Sequence, residues 1–169
     1  GGWGIGILSE GGRKKHEIPL RQAVEVVGFG HSVEDLTQKP KEPTKLHTMQ
    51  NAIEKAMQMA GITKNDLGTV EIHDCFTSAA IMGIEAIGLA PYGKGVDYVL
   101  DGHTARDGKV PFNTTGGLIG WGHPTGATGV HMAVTIWEQL TGNAGDAQIK
   151  LNPERPYGMS VNMGGDDKT

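Results

Sequence analysis

Three stretches of this sequence hold side chains able to do chemistry. The first is His73-Asp74-Cys75-Phe76. Residues 69–72 read as a short strand, and residues 79–89 as a helix capped by Thr77 or Ser78. Cys75 therefore falls where a strand meets a helix. Unpaired backbone N–H groups and the positive end of the helix dipole favour a thiolate there. Position alone also fits a small, buried, inert thiol. The ionisable neighbours His73 and Asp74 weigh against that, because a buried ionisable group needs a partner.

The second stretch is Gly122-His123-Pro124-Thr125-Gly126-Ala127-Thr128-Gly129. Pro124 biases His123 towards an extended backbone. The glycines allow close approach, and a helix start follows. Such a loop can hold one imidazole rigidly beside an anion-friendly pocket; its spacing alone equally fits a glycine-rich turn with an incidental histidine. No Gly-Lys-Ser/Thr follows, so it is not a Walker phosphate loop. The G-x-G-x-x-G spacing of a dinucleotide site is missing too. The third stretch, Ser160-Val161-Asn162-Met163-Gly164-Gly165, is a strand ending in glycines. Its N–H groups could face a reacting oxygen, although alone it fits a plain turn. No histidine or cysteine pair has zinc-type spacing, so no metal site is expected. His131, eight residues beyond His123, reads as a packed or surface side chain.

The elements that position these stretches alternate between strand and helix, which indicates an α/β layered domain. Residues 3–8 and the β-branched run 23–29 read as strands, the second one buried. Residues 30–43 read as a long loop. Thr44 is a plausible cap for a helix whose apolar face is Leu46, Met49, Ile53, Met57 and Ala60, closed by Gly61. Its methionines read as core filling. Residues 96–100 and 109–112 are weaker strand candidates. A third long helix carries Val130, Ala133, Val134, Trp137 and Leu140 on one face. Residues 159–162 form a last strand.

Composition excludes several classes. The chain has 169 residues with 15 Lys+Arg against 19 Asp+Glu, a net charge of −4. That balance argues against a nucleic-acid partner, which calls for a basic patch. Cys75 is the single cysteine, so no intrachain disulfide scaffold is possible. No apolar run approaches the ~20 residues of a membrane-spanning helix. The 27 glycines are more than twice the usual share of about 7%, without a collagen triplet. The glycine-rich opening lacks a basic signal-peptide region and an initiator methionine, so a fragment of a longer chain is expected.

In order and spacing these motifs resemble the C-terminal half of the thiolase superfamily. The resemblance spans most of the chain: the opening GGWGIGILSE, a helix ending in AGIT, the strand VEIHDCF, EAIGLAPYGKG, and NTTGGLIGWGHPTGATG. The last is highly specific. HDCF narrows the resemblance to sterol-carrier-protein-2-type thiolases, where other thiolases carry Asn-Glu-Ala-Phe. The implied fold is the layered α/β thiolase fold, its C-terminal half a mixed sheet flanked by helices. Residues 1–22 would close the N-terminal domain and connect it; residues 23–169 would be the C-terminal domain, lacking its last strand.

The implied activity is cleavage, or formation by Claisen condensation, of a 3-oxoacyl-CoA. This makes the chain part of an acyl-CoA C-acyltransferase. One cysteine of the N-terminal half is acylated and a second acts as acid and base. Most thiolases place that second cysteine in a C-x-G motif near the end. Here Asn162 stands at that point, and Cys75 offers the replacement thiol. By the same resemblance His123 donates to the enolate oxygen and helps activate the nucleophile, and His73 holds a water that donates as well. The N–H of Gly164 lines a second oxyanion hole. Asp74 and Phe76 shape the site; Asn113, Gly116 and Gly117 are structural.

Coenzyme A and acyl-CoA would be substrates, with no separate cofactor. The partner would be the absent N-terminal half with its nucleophilic cysteine, in a homo-oligomer, and the chain alone would be inactive. The family suggests lipid metabolism such as fatty-acid β-oxidation, in a peroxisome, glycosome or mitochondrion. Two rivals stand beside this reading. One is a Cys75/His123 hydrolase or acyltransferase working within this domain. The other is an inactive acyl-CoA- or lipid-binding homologue.

Overall fold

A computed structural model describes residues 2–35, 37–38, 42–165 and 167. The architecture is α/β, with helices packed around a small parallel sheet. Its elements are α1 (Glu10–Lys15), α2 (His47–Ala60), β1 (Leu67–Ile72), α3 (Thr77–Ile87), α4 (Gly95–Leu100), α5 (Gly117–Trp121), α6 (Thr128–Thr141) and β2 (Tyr157–Val161). Part of the expected 30–43 loop lies outside the described residues.

The sheet fixes everything that follows. β1 pairs with β2 in parallel, with Val70 opposite Met159 and Ile72 opposite Val161. Such neighbours need a long crossover, here supplied by α3 to α6. The other edge of β1 meets residues 111–113. Val70 N–H donates to Pro111 O, and Asn113 N–H donates to Val70 O, each at 3.0 Å. β1 is thus paired on both edges. Leu67, Val70 and Ile72 are fully buried, as suits a central strand.

The core forms around that strand. Leu46, Met49 and Ile53 of the α2 face pack with Leu67, Val70, Ile72, Ile87, Val110 and Val161. The expected Met stripe is therefore core: Met49 is buried and Met57 packs against the cluster. Gly61 ends α2 in a left-handed conformation at φ 68°, which glycine adopts without a Cβ penalty. The start of α2 differs from expectation. Thr44 is not its cap; the helix begins at His47 after Leu46, with no side-chain cap from that residue. The orphan N–H groups of Thr48 and Met49 instead donate to the carboxylate of Asp167, at 2.9 and 2.8 Å.

Other expectations are corrected. Residues 96–100 form helix α4, not a strand. Their β-branched residues lose to a contact from α3, where Glu85 Oε1 accepts from Gly95 N–H at 2.8 Å, and to the local Lys94–Asp97 pair in the first turn. Residues 109–112 give one isolated bridge, Val70 to Phe112, rather than a strand. Residues 3–8 are irregular, and the supposed connector after them contains α1, capped by Ser9. Residues 23–29 are not a buried strand. They form no ladder among the described residues, and Val26 is 72% exposed.

The 28–30 stretch lies directly on α2. A Cβ at Gly30 would stand 1.9 Å from the carbonyl oxygen of Ala52, and one at Gly28 2.3 Å from that of Ala56. Only hydrogen fits between these backbones. Gly30→Ala should therefore push the segment off α2. The expected loss is about 1–3 kcal/mol, as for other overpacked sites, or about 2–4 °C of Tm per kcal/mol at this size. Thermal unfolding of the variant checks this.

Candidate functional site

Parallel pairing continues one residue past each strand. His73 N–H donates to Val161 O at 3.0 Å. This places His73, just beyond β1, beside Asn162, just beyond β2. Their side chains meet: His73 Nδ1 is 2.6 Å from Asn162 Oδ1. An amide oxygen only accepts, so Nδ1 carries the hydrogen and Nε2 presents a lone pair. His73 is 4% exposed, which makes this bond its anchor. The amide nitrogen of Asn162 packs over Gly129, where a Cβ would stand 2.7 Å from Nδ2. Glycine at the start of α6 is what makes room for Asn162.

The loop before α6 brings in the second imidazole. The rings of His73 and His123 lie 4.8 Å apart, centroid to centroid, at 88°. His123 Nδ1 is 2.7 Å from the hydroxyl of Thr128, in the first turn of α6. Residues from three separate stretches, 73, 123 and 162, thus converge. Cys75 lies two residues beyond His73, half-buried and with a free thiol, in the turn before α3. That helix begins at Thr77 with Phe76 as its N-cap, rather than with the expected Thr77 or Ser78 cap. Gly164 lies half-buried, three residues beyond the end of β2.

A second layer of contacts holds the turn that carries these groups. The Asn113 side chain acts as a piece of strand: its Oδ1 accepts from Ile72 N–H at 2.7 Å, and its Nδ2 donates to Ile72 O at 3.0 Å. Its backbone is left-handed at φ 45°, which asparagine tolerates better than most residues. Asp74 Oδ1 accepts from Leu118 N–H at 2.7 Å. Gly117 lies under both, since a Cβ there would be 2.2 Å from Asp74 Oδ2 and 2.7 Å from Asn113 Nδ2. Asn113 and Gly117 thus have the structural place expected of them. His131 stacks on Trp3 at 4.7 Å and meets the edge of Trp121 at 5.3 Å, tying the N-terminal segment to α6.

Several of these partners escape a reading of the sequence. Asn162 stands out there only as the residue in place of a cysteine; its bond to His73 requires the strand register. Thr128 is one residue among many in a glycine-rich loop. Glu71 is the third. It lies on β1, 3% exposed, a charge within an otherwise uncharged strand, and that is the signal by which it could be found. Among the described residues its Oε1 finds no hydrogen-bond partner. Burial pushes its carboxyl up to about 8, with repulsion from Asp74 adding to the rise and the Thr114 N–H opposing it. Among the described residues, no three His, Cys, Asp or Glu side chains gather as a metal site would need, and no helix is long and apolar enough to cross a membrane.

Comparison with known proteins identifies the family. Residues 28–165 match the family model described as "Thiolase C-terminal domain-like". An acetyl-CoA acetyltransferase of Methanothermobacter thermautotrophicus is 38% identical over 74% of this chain and 32% of its own length. Human sterol carrier protein 2 is 37% identical over 68% of this chain and 20% of its own. Non-specific lipid-transfer protein-like 2 of Caenorhabditis elegans is 33% identical over 94% of this chain and 39% of its own. The chain therefore spans between a fifth and two fifths of these relatives. A solved structure titled "Ltp2-ChsH2(DUF35) aldolase" shares the fold, with a TM-score of 0.62 over 76% of this chain and 32% of that chain, at 19% identity.

Glu71 gives this site a pH signature. Its carboxyl ionises at about 8 when folded, against an ordinary 4.5. The folded state then holds more protons than the unfolded state between those values. Stability is full below pH 4.5, declines as pH rises, and levels off above about 8. Glu71→Gln should flatten that decline. Denaturant unfolding across this pH range measures it.

Proposed function

The chain belongs to the thiolase C-terminal domain-like family, and on that premise we propose that it is the C-terminal catalytic half of a thiolase acting on a 3-oxoacyl-CoA. The observation that carries the reading is the meeting of His73 and His123, rings 4.8 Å apart, with Asn162 bound to the first of them.

The proposed chemistry runs as one cycle. A cysteine thiol of the N-terminal half attacks the 3-oxo carbon, and His123 takes its proton. The bond between carbons 2 and 3 breaks, leaving an acyl thioester on that cysteine and the enolate of acetyl-CoA. An enolate oxygen needs oriented donors. His123 supplies one. With Nδ1–H committed to Asn162, His73 Nε2 accepts one hydrogen of a water, whose other hydrogen faces the enolate. Cys75 gives its proton to carbon 2. Its thiolate then takes the proton of incoming coenzyme A, whose sulfur attacks the acyl-enzyme; the acyl–cysteine bond breaks to give the acyl-CoA product, and the released thiolate recovers its proton from His123. The Gly164 N–H, with that of the nucleophile, receives the tetrahedral oxyanion. One group serving as acid and then base works best when its pKa lies near the ambient pH.

The missing nucleophile makes the N-terminal half the necessary partner. Exposed apolar side chains such as Ile7, 86% exposed, and Phe29, 70% exposed, are compatible with that partnership. Residence in a peroxisome, glycosome or mitochondrion, and a part in fatty-acid β-oxidation, belong to the same proposal.

In a polypeptide carrying both halves, Cys75→Ala should reduce thiolysis of a 3-oxoacyl-CoA by about 10²–10⁴-fold, the usual contribution of a positioned acid–base group. Coenzyme A-dependent loss of the 3-oxoacyl thioester reads it. Undiminished thiolysis in that variant would rule out Cys75 as the acid–base group. Thiolysis by the 169-residue chain alone, through acylated Cys75, would favour a single-domain acyltransferase instead.

A further inference from the structure

The two imidazoles of the site are held in different ways. His73 Nδ1 faces an amide oxygen, which only accepts, so a single neutral tautomer is satisfied. His123 Nδ1 faces the hydroxyl of Thr128 at 2.7 Å. A hydroxyl both donates and accepts. We propose that Thr128 is a positioning residue that keeps both neutral tautomers of His123 hydrogen-bonded, so that Nε2 can present either a lone pair or an N–H.

The surroundings of the hydroxyl allow this. Thr128 Oγ1 lies 3.3 Å from the carbonyl oxygen of Pro124. When the hydroxyl donates there, it accepts from His123 Nδ1–H, and Nε2 is a base. When it turns to donate to Nδ1, Nε2 carries the hydrogen and is a donor. The turn leaves nothing unpaired. Pro124 O still accepts from Ala127 N–H at 2.7 Å and from Thr128 N–H at 3.1 Å. The two states differ by rotation about the hydroxyl C–O bond and by the place of one proton: the Nδ1–H bond breaks and an Nε2–H bond forms as the exposed ring exchanges its proton with solvent. Thr128 is 3% exposed, so its hydroxyl is held among protein partners, while the exposed ring of His123 can exchange its proton with solvent.

The functional meaning rests on the proposed role of His123, which asks Nε2 to take a proton from the nucleophile and to face the enolate oxygen as a donor. The tautomer itself is measured without turnover. Imidazole ¹⁵N spectra of histidine-labelled protein, at a pH where His123 is neutral, should show both tautomers of His123 and the Nδ1–H form alone for His73. Thr128→Val removes the acceptor, so the Nδ1–H form of His123 should be lost, and Thr128→Ser should restore it. The His73 signal, unchanged in both variants, reports that the fold survives. A single tautomer of His123 in the unaltered protein, or spectra of Thr128→Val identical to it, overturns the proposal. The unaltered protein decides the matter even if Thr128→Val does not fold. Joined to the N-terminal half, Thr128→Val should lower kcat and leave KM in place, with Thr128→Ser keeping both. Were the joined protein without substitutions to show no thiolysis, the proposed function would fall while the tautomer result stood.

Discussion

The site depends on the parallel pairing of β1 with β2. The strands lie about 90 residues apart in sequence (Ile72 opposite Val161), and their register decides what their ends bring together. Because side chains alternate between faces along a strand, a slip of one residue would turn every one of them over. His73 would then lose Asn162, and Asn162 would leave its place above Gly129. The register is held from both edges of β1. Its core residues Leu67, Val70 and Ile72 admit one depth of burial, and the Asn113 amide grips both the N–H and the C=O of Ile72.

Polar groups at this spot are ordered by what each can accept or donate. The Asn162 oxygen fixes His73, and the Thr128 hydroxyl leaves His123 more freedom. Asp74 uses one oxygen on the Leu118 N–H and so anchors the glycine-rich segment to the turn below it. Glu71 stands apart, since its Oε1 is buried without a partner among the described residues. A buried polar group left without a hydrogen bond is costly, and ionisation adds to that cost. This carboxyl consequently stays protonated well above the usual range.

Much of this was legible in the sequence, for physical reasons. The periodic face of α2 and the β-branched run of β1 report local preference and burial together, whereas α6 buries Met132, Thr135, Ile136 and Gln139 instead of the expected face, whose Trp137 is exposed. HDCF and GHPTGATG carry their meaning within a few residues of chain. What was illegible depends on distant partners. The β-branched run of α4 suggests a strand, and Glu85, ten residues earlier, makes it a helix. The run at 23–29 has a strand's composition, forms no ladder among the described residues, and meets α2 at Gly28. Asn162 and Thr128 gain roles only when the fold sets each beside an imidazole. The layered α/β class and the family resemblance survive such errors. They rest on the order of many elements and not on any single one.

The cap of α2 has a consequence for how the chain matures. The residues that begin this helix wait for Asp167, 119 positions downstream of Thr48. On a ribosome, the first turn of α2 emerges long before the carboxylate that completes it. Its free N–H groups must meanwhile be satisfied by water. The start of α2 and the glycine-rich segment after β2 can therefore lock together only late. The helix is finished only when the loop carrying Asn162 and Gly164 has been translated and laid against it.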